Sequence, residues 1–185
     1  MTLAILCVVL FGALSCSDPS APGTRGSLTF AFTGAGGGTF NASGDAPALT
    51  APPPTGTSWA MGVVQAGETH VAASSPRSGG LVDLALLRFE RTTVGSESID
   101  LACNIDGSAS CTGMEFYLNF NGNGDTGDFF CALTTGTIVL TEVSGSRAKG
   151  TFSGNGNCSA GTGGASSAFS VSNGAFDVAL VAPPA

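Results

Sequence analysis

The sequence predicts an all-β protein, an antiparallel β-sandwich of about nine to eleven short strands, with a β-barrel as the alternative. Apolar and polar residues alternate in many short runs, as expected when successive side chains of a strand face opposite sides of a sheet. The chain contains 28 Gly residues, most of them between these runs, where turns and strand ends are expected. Charged residues make up only 10% of the chain.

The alternating runs predict the strands in chain order. They cover Leu28–Phe32, Thr39–Ser43, Trp59–Val63, Leu81–Phe89, Ile99–Cys103, Met114–Phe120 and Phe129–Leu133. The apolar run Leu81–Phe89 also fits two turns of helix, but the β context favours a strand. Ala46–Gly56 is predicted to be a surface loop because its Pro residues cannot donate to a ladder. Gln65–Gly80 is predicted to be a polar connection.

The segment 136–180 gives the clearest hairpin signals. A turn at Gly145–Ser146 predicts one apolar and one polar face for the flanking strands. The expected cross-strand pairs are Val143 with Ala148, Glu142 with Lys149, Thr141 with Gly150, Leu140 with Thr151, and Val139 with Phe152. A Gly/Ser-rich loop is predicted after Gly154.

Asn173–Gly174 predicts a second hairpin, since a type I′ turn needs positive φ at both central residues. That turn would pair Val171 with Phe176 and Phe169 with Val178. The alternative is a single strand with a bulge at Gly174.

The N-terminus is typical of an exported protein. The apolar run Leu3–Leu14 is too short to span a bilayer and suits the hydrophobic region of a signal peptide, predicted over residues 1–15. It ends in Gly-Ala-Leu-Ser-Cys16, which resembles the lipobox of bacterial lipoproteins. The resemblance implies that signal peptidase II cleaves after Ser15 and that Cys16 carries the lipid. The alternatives are an ordinary secretory signal with a chance Cys, or a short anchor helix.

The resemblance also implies a location. Residues 16–26 are predicted to be the lipidated Cys and a flexible, Pro/Gly-rich tether, and residues 27–182 a single all-β domain. Ser17, rather than Asp, follows the Cys, which implies the outer membrane if the organism is Gram-negative. Secretion without an anchor is the alternative. Near the C-terminus, the Gly-x-Phe-Ser-Gly and Asn-Gly-x-Phe-x-Val phrases resemble the ends of small uncharacterised bacterial lipoproteins.

Four Cys lie beyond the signal region, and an even number in an exported chain predicts disulfides. Cys103 and Cys111 flank a short loop-like segment and are the expected first pair. Cys131 would then pair with Cys158 and tie the Gly-rich loop to the body of the domain. Zinc is the rival hypothesis, but the spacing is not CxxC and an oxidising compartment disfavours thiolates.

One loop has the spaced oxygen side chains that calcium sites use. Its candidate ligands are Asn121, Asn123, Asp125 and Asp128. The EF-hand pattern is not met, since Thr126 stands at position six and Ala132 at position twelve. A plain hairpin loop, in which Asn, Asp and Gly adopt turn conformations, explains the same residues.

No catalytic set is recognisable. The lone His70 is expected to be a solvent-exposed loop residue, and no Gly-x-Ser-x-Gly elbow occurs. Ser146 to Lys149 matches Ser-x-x-Lys without the partner motifs of penicillin-recognising enzymes, so we attribute it to chance. The polar side of one strand carries Glu115, Tyr117 and Asn119. Such a face could bind sugar, but it is more often simply the solvent-exposed face of a sheet.

The charge balance excludes some partners. A net charge of −7 with six Lys and Arg and no basic cluster argues against nucleic acid. The lipobox resemblance, the expected disulfides and the absence of a recognisable catalytic set lead us to expect a lipid-anchored, non-enzymatic interaction or structural module of the cell envelope, bound to the membrane through Cys16, with an unknown protein or glycan partner. The alternative is a β-sandwich module that binds carbohydrate or calcium.

Overall fold

The computed structural model describes residues 24–47, 56–100, 111–120, 129–160 and 164–181. Within these ranges the chain forms ten β-strands and a 3₁₀ turn at Ser78–Gly80, with no α-helix. The strands are β1 (Arg25–Thr33), β2 (Gly38–Asp45), β3 (Trp59–Gln65), β4 (Glu68–Pro76), β5 (Val82–Phe89), β6 (Gly95–Ser98), β7 (Gly113–Phe120), β8 (Phe129–Val143), β9 (Arg147–Ala160) and β10 (Ser166–Val181). The predicted all-β class is confirmed.

All ten strands belong to one sheet in the order β2-β1-β10-β3-β4-β5-β7-β8-β6, with β9 paired to both β10 and β8. Every pairing is antiparallel except that of β10 with β3, which is parallel and joins Leu180 to Gly62 and Val181 to Val63. The pairings from β10 through β3, β4, β5, β7, β8 and β9 return to β10 and so form a closed circuit. This circuit is compatible with both predicted architectures, the sandwich and the barrel.

The strands near the C-terminus are long rather than short. β8, β9 and β10 contain 15, 14 and 16 residues. They are long because β8 pairs with β7 near its start and with β6 further on, while β10 pairs first with β1 and then with β3. The Gly/Ser-rich loop predicted after Gly154 is therefore wrong over Asn155–Ala160, which continue β9 and pair with β8.

The hairpin between β8 and β9 is confirmed near its turn and shifted beyond it. Val143 lies opposite Ala148 and Glu142 opposite Lys149, as predicted. A bulge then leaves Thr141 without an opposite residue, so that the other predicted pairs are wrong. The actual pairs are Leu140 with Gly150, Val139 with Thr151, and Ile138 with Phe152. The shift turns Ile138 and Leu140 into the core, because inserting one residue exchanges the two faces of a strand.

The hairpin predicted at Asn173–Gly174 is wrong, and the alternative of one bulged strand is correct. β10 runs through this dipeptide, and its register against β9 shifts between Val171 and Gly174. Asn173 has a φ of 53°, a left-handed conformation that Asn tolerates better than most residues. The bulge lets Val171 and Phe176, five positions apart, both face the core.

The polar connection predicted over Gln65–Gly80 is also wrong, since most of it forms β4. Ala66 and Gly67 make a tight turn with φ of 53° and 87°, the two positive values that a type I′ hairpin turn requires. Beyond the turn, Thr69, Val71 and Ala73 alternate inward and are buried. The small size of Thr69 and Ala73 and the weak contrast with His70 and Ala72 between them concealed this strand in the sequence.

The strand predicted at Ile99–Cys103 begins too late. β6 ends at Ser98, and Ile99 and Asp100 lie beyond it; residues 101–103 fall outside the described part of the chain. Gly95–Ser98 was not recognised because it holds two Ser, one Gly and one Glu. Its pairing with Thr137–Leu140 of β8, rather than an apolar pattern of its own, makes it a strand.

The core is organised around Phe116 of β7. Its ring lies 5.0 Å from that of Phe30, 5.1 Å from Phe32, 5.5 Å from Phe40 and 6.2 Å from Phe169. The contacts with Phe30, Phe32 and Phe40 are edge-on, the geometry that the quadrupoles of aromatic rings favour. Phe116 thus holds the β1–β2 hairpin against the strand circuit, and the prediction that Phe residues supply much of the core is confirmed.

A close backbone approach joins β1 to the circuit at Gly26. A Cβ at this position would clash with the carbonyl oxygen of Ala60 on β3 and lie 3.3 Å from Cα of Val178 on β10. Only Gly allows the three backbones to meet here.

The strand directions define two ends of the sheet. One end, which we call the tether end, holds the start of β1, the β3–β4 turn, the segment between β5 and β6, the β8–β9 turn and the end of β10. The opposite end, which we call the distal end, holds the β1–β2 turn, the end of β7 and the start of β8. The predicted tether leads into the first of these ends.

The register of β8 can be tested with two adjacent substitutions. We expect Ile138→Ala to lower the free energy of unfolding by about 2–5 kcal/mol, because Ile138 is 2% exposed and its loss leaves a cavity. Val139→Ala, the matched control on the half-exposed face, should cost about 1 kcal/mol or less. Chemical denaturation measures both values, and the reverse order would contradict the bulge at Thr141.

Candidate functional site

The residues with the most specific predicted roles lie outside the described part of the chain. These are the lipidation candidate Cys16, the disulfide candidate Cys103, and the calcium candidates Asn121, Asn123, Asp125 and Asp128. The lipid anchor and the calcium site therefore stay predictions. Phe120 and Phe129, which flank the calcium candidates, both lie at the distal end.

The predicted disulfide between Cys131 and Cys158 is present. The two residues lie directly opposite each other on β8 and β9, with Cα atoms 4.0 Å apart. The bond therefore joins two paired strands, rather than a loop to the body of the domain. Cys111 is also disulfide-bonded, and its pairing with Cys103 stays a prediction.

A buried charged cluster lies on the outer face of β4 and β5, opposite the Phe core. Arg88 donates from Nε and Nη2 to the two carboxylate oxygens of Glu68, at 2.9 and 3.0 Å. His70 Nε2 lies 3.2 Å from Glu68 Oε2. Glu68 and Arg88 are 7% and 6% exposed, so the pair is shielded from water. The fork geometry suits Arg, which binds a carboxylate through two parallel hydrogen bonds.

This cluster corrects the prediction for His70. His70 is a residue of β4, lies opposite Arg88 of β5, and keeps only about a third of its side chain exposed. It is a partner of a buried carboxylate rather than a loop residue in solvent. Sequence reasoning missed the cluster because Glu68 and Arg88 are 20 positions apart and β4 itself was not recognised.

The face of β7 with Glu115, Tyr117 and Asn119 is not the solvent-exposed face that the alternation predicts. Glu115 is buried, and it accepts a hydrogen bond of 2.9 Å from the hydroxyl of Tyr117. The Tyr117 ring packs 5.0 Å from Phe130 and 5.5 Å from Phe120. Asn119 has a φ of 53°, and its N–H donates to Asp83. The side chains of this strand are thus engaged with their neighbours.

Trp59 belongs to the same outer face, where it lies opposite Ser74 of β4. Its side chain is buried, and its indole Nε1 is the one buried side-chain nitrogen or oxygen in the described ranges without a hydrogen-bond partner. Such a group is rare in folded proteins, since burying an N–H without an acceptor costs free energy.

Two further carboxylates tie connections to strands. Asp83 accepts hydrogen bonds from Arg77 at 2.7 Å and from the N–H of Asn119 at 3.1 Å. The hydrogen bond from Arg77 to Asp83, with their mutual attraction, raises the pKa of Arg77 above its ordinary value. Asp83 thereby links the segment before β5 to β7.

Glu97 of β6 likewise links connections to a strand, near the tether end. It accepts hydrogen bonds from Arg91 at 2.8 Å, from the Thr112 hydroxyl at 2.6 Å and from the N–H of Glu90 at 3.0 Å. These bonds fix the segment that follows β5 against β6 and the start of β7.

The exposed face of β8, β9 and β10 carries a string of alternating charges. Lys149 lies 3.0 Å from Glu142, as predicted, and 3.8 Å from Asp177, which also binds Arg147. The hydrogen bond with Glu142, together with the attraction of Asp177, raises the pKa of Lys149. These ion pairs lie at the surface, where water and salt weaken the attraction between the charges.

The charged side chains described above hold strands and connections together. The carboxylates among them bind Arg, Lys, Tyr or Thr side chains of the same strand, of a neighbouring strand or of a connection. Among the described residues, no group of three or more His, Cys, Asp or Glu is placed to hold a metal ion. In the same ranges, no helix is long and apolar enough to cross a membrane.

The tether end has an open cavity of about 670 Å³. Its walls are Val64, Thr92, Val143, Ser144, Gly145, Leu180 and Val181. Two other depressions with described walls are smaller, about 260 Å³ beside Glu90 and Glu97 and about 380 Å³ on the outer face around Val139. Sequence reasoning missed the cavity because its walls come from the ends of four separate elements.

Comparison with protein-family models, curated proteins and solved structures finds no match to this chain.

The buried pair can be tested against an exposed one. We expect Glu68→Ala to lower the free energy of unfolding by about 3–5 kcal/mol, because it leaves the Arg88 charge buried without its carboxylate. Glu142→Ala, which removes the exposed partner of Lys149, should cost less than about 1 kcal/mol. Denaturation curves of both variants supply the comparison. Equal costs would show that the Glu68–Arg88 pair is no more important than a surface pair.

Proposed function

We propose that this protein is a lipid-anchored module of the cell envelope that acts by interaction or structural support rather than by catalysis. The observation that carries the proposal is Cys16, placed directly after Gly-Ala-Leu-Ser and a signal-like apolar run. Two or more acyl chains on one Cys hold a protein at a membrane far more firmly than one chain does. Ser17, following the Cys, favours the outer membrane in a Gram-negative cell.

The layout of the domain supports this attachment. β1 begins at Arg25, at the tether end, and eight residues (17–24) separate it from Cys16. Fully extended, they span at most about 30 Å. An anchor at Cys16 would hold the tether end near the membrane and turn the distal end outward. The β1–β2 turn and the strand ends beside the Asn121–Asp128 segment would then be offered to an unknown protein or glycan partner.

The charges of the domain support interaction over catalysis. Arg77, Arg88, Arg91, Arg147 and Lys149 each form an ion pair with a carboxylate. His70, the one His of the chain, lies against a carboxylate that already binds Arg88. Activation of a nucleophile needs a base that is held ready for a proton. These groups are engaged in holding strands together, and the net charge of −7 disfavours nucleic acid.

Metabolic labelling tests the anchor. Cells that produce the full chain are grown with an alkyne analogue of palmitate, and the label on the purified protein is measured after denaturation. We expect strong labelling of the native chain and loss of the label in Cys16→Ala, because Cys16 is the acceptor.

Cys7→Ala is the matched control, since Cys7 lies within the same N-terminal apolar run but does not follow the lipobox-like motif. This variant should keep the label. Labelling that survives Cys16→Ala, or a native chain without label, would refute the proposal.

A further inference from the structure

From the cavity at the tether end, we infer that this end of the domain holds one acyl chain of the lipid carried by Cys16. This inference rests on the proposed lipid anchor and adds a binding site within the domain. Its basis is the chemistry of the cavity walls, their connection to the core, and their position beside the first residue of β1.

The walls are mainly aliphatic. Four of the described lining residues are aliphatic: Val64, Val143, Leu180 and Val181. Thr92 and Ser144 add polar groups. The cavity of about 670 Å³ falls within the 300–1,000 Å³ typical of small-ligand sites. No Lys, Arg, Asp, Glu or His is among the described residues of its walls, so an uncharged aliphatic chain is the ligand that matches them. An acyl chain would cover apolar surface that water otherwise contacts.

The apolar surface continues inward from these walls. Val143 and Leu180 are partly buried and pack against the Phe-rich core. The segment after β5 that contributes Thr92 also holds Val94, the exposed large hydrophobic residue of the described ranges, at 61% exposure. The cavity therefore adjoins the core, as expected for a site that holds an apolar chain.

Two of the cavity walls are held in place by backbone hydrogen bonds. The N–H of Leu180 donates to the carbonyl of Ser146, and the N–H of Ser144 donates to the carbonyl of Arg147, both at 2.8 Å. These bonds fix the end of β10 against the β8–β9 turn. The opening is thus largely formed in advance, which lowers the cost of binding.

The position of the start of β1 points to the lipid on Cys16 as the source of the acyl chain. Arg147 Nη1 donates to the carbonyl of Arg25 at 3.4 Å, which places the first residue of β1 beside the turn that lines the cavity. Residues 17–25 span at most about 30 Å, and a leaflet of hydrocarbon is only about 15 Å deep. A lipid on Cys16 is therefore within reach. The short tether also gives its acyl chains a high effective concentration at this site.

Photo-crosslinking in cells tests the inference on the full chain. The cells receive a fatty acid that bears both an alkyne and a diazirine, and half of each sample is irradiated. Peptide mapping then separates two signals. Label on the Cys16 peptide without light reports the anchor, whereas light-dependent adducts on peptides with Val64, Val143 or Val181 report an acyl chain in the cavity.

We expect both signals from the native chain. Val64→Asp and Val181→Asp should each reduce the cavity adducts about tenfold, because they bring a carboxylate against the acyl chain. Val139→Asp is the matched control, since Val139 lines the separate depression on the outer face of β8. It should leave the cavity adducts unchanged. Protease resistance of each variant verifies that it has folded.

The outcomes separate the two proposals. A labelled Cys16 without cavity adducts would overturn this inference and leave the anchor intact, whereas an unlabelled Cys16 would refute the anchor itself. Cavity adducts that persist in Cys16→Ala would show that the chain comes from another lipid, which contradicts the assignment. Adducts that Val139→Asp reduces as strongly as Val181→Asp would show unspecific contact and likewise overturn it.

Discussion

The structure depends on keeping apolar side chains on one face of strands that are 14 to 16 residues long, two of which, β8 and β10, change partners along their length. A strand alternates with a period of two, so one unpaired residue exchanges its faces. Bulges at Thr141 and near Asn173 supply those exchanges. They keep Ile138, Phe152 and Phe176 in one core. The β1–β2 hairpin packs against the same core, where Phe30 contacts Phe116.

The same constraint explains why the sequence predicts some elements and not others. Strands with large apolar residues at every second position, such as Leu28–Phe32 and Met114–Phe120, were recognised from periodicity alone. β4 was not, because its inward side chains include the small Thr69 and Ala73. β6 is a strand only through its pairing with β8, a long-range contact that no local pattern contains.

The registers show where local reasoning ends. Turn chemistry at Gly145–Ser146 correctly paired the residues next to the turn, but pairing continued by simple counting failed after two pairs, at Thr141. Asn173–Gly174 has the composition of a hairpin turn, yet it forms a bulge in one strand because β10 must run on to reach β3. In both cases tertiary pairing outweighed the local preference. The disulfide between Cys131 and Cys158 was predictable because an even number of Cys predicts bridges and the expected pairing of Cys103 with Cys111 leaves these two, independently of register.

Charged and aliphatic side chains lie in different regions of the described domain. On the β4–β5 face and beside β6, carboxylates and guanidinium groups hold neighbouring strands together, as at Glu68–Arg88 and Arg91–Glu97. At the tether end, aliphatic side chains line an opening next to the residue where the domain begins. An anchor at Cys16, as proposed, would keep this end within about 30 Å of the membrane, because only eight residues separate Cys16 from β1. Aliphatic walls at this end and polar connections elsewhere fit that arrangement. The distal end, with Phe120 and Phe129 beside the Asn121–Asp128 segment, would then be the surface open to the proposed partner.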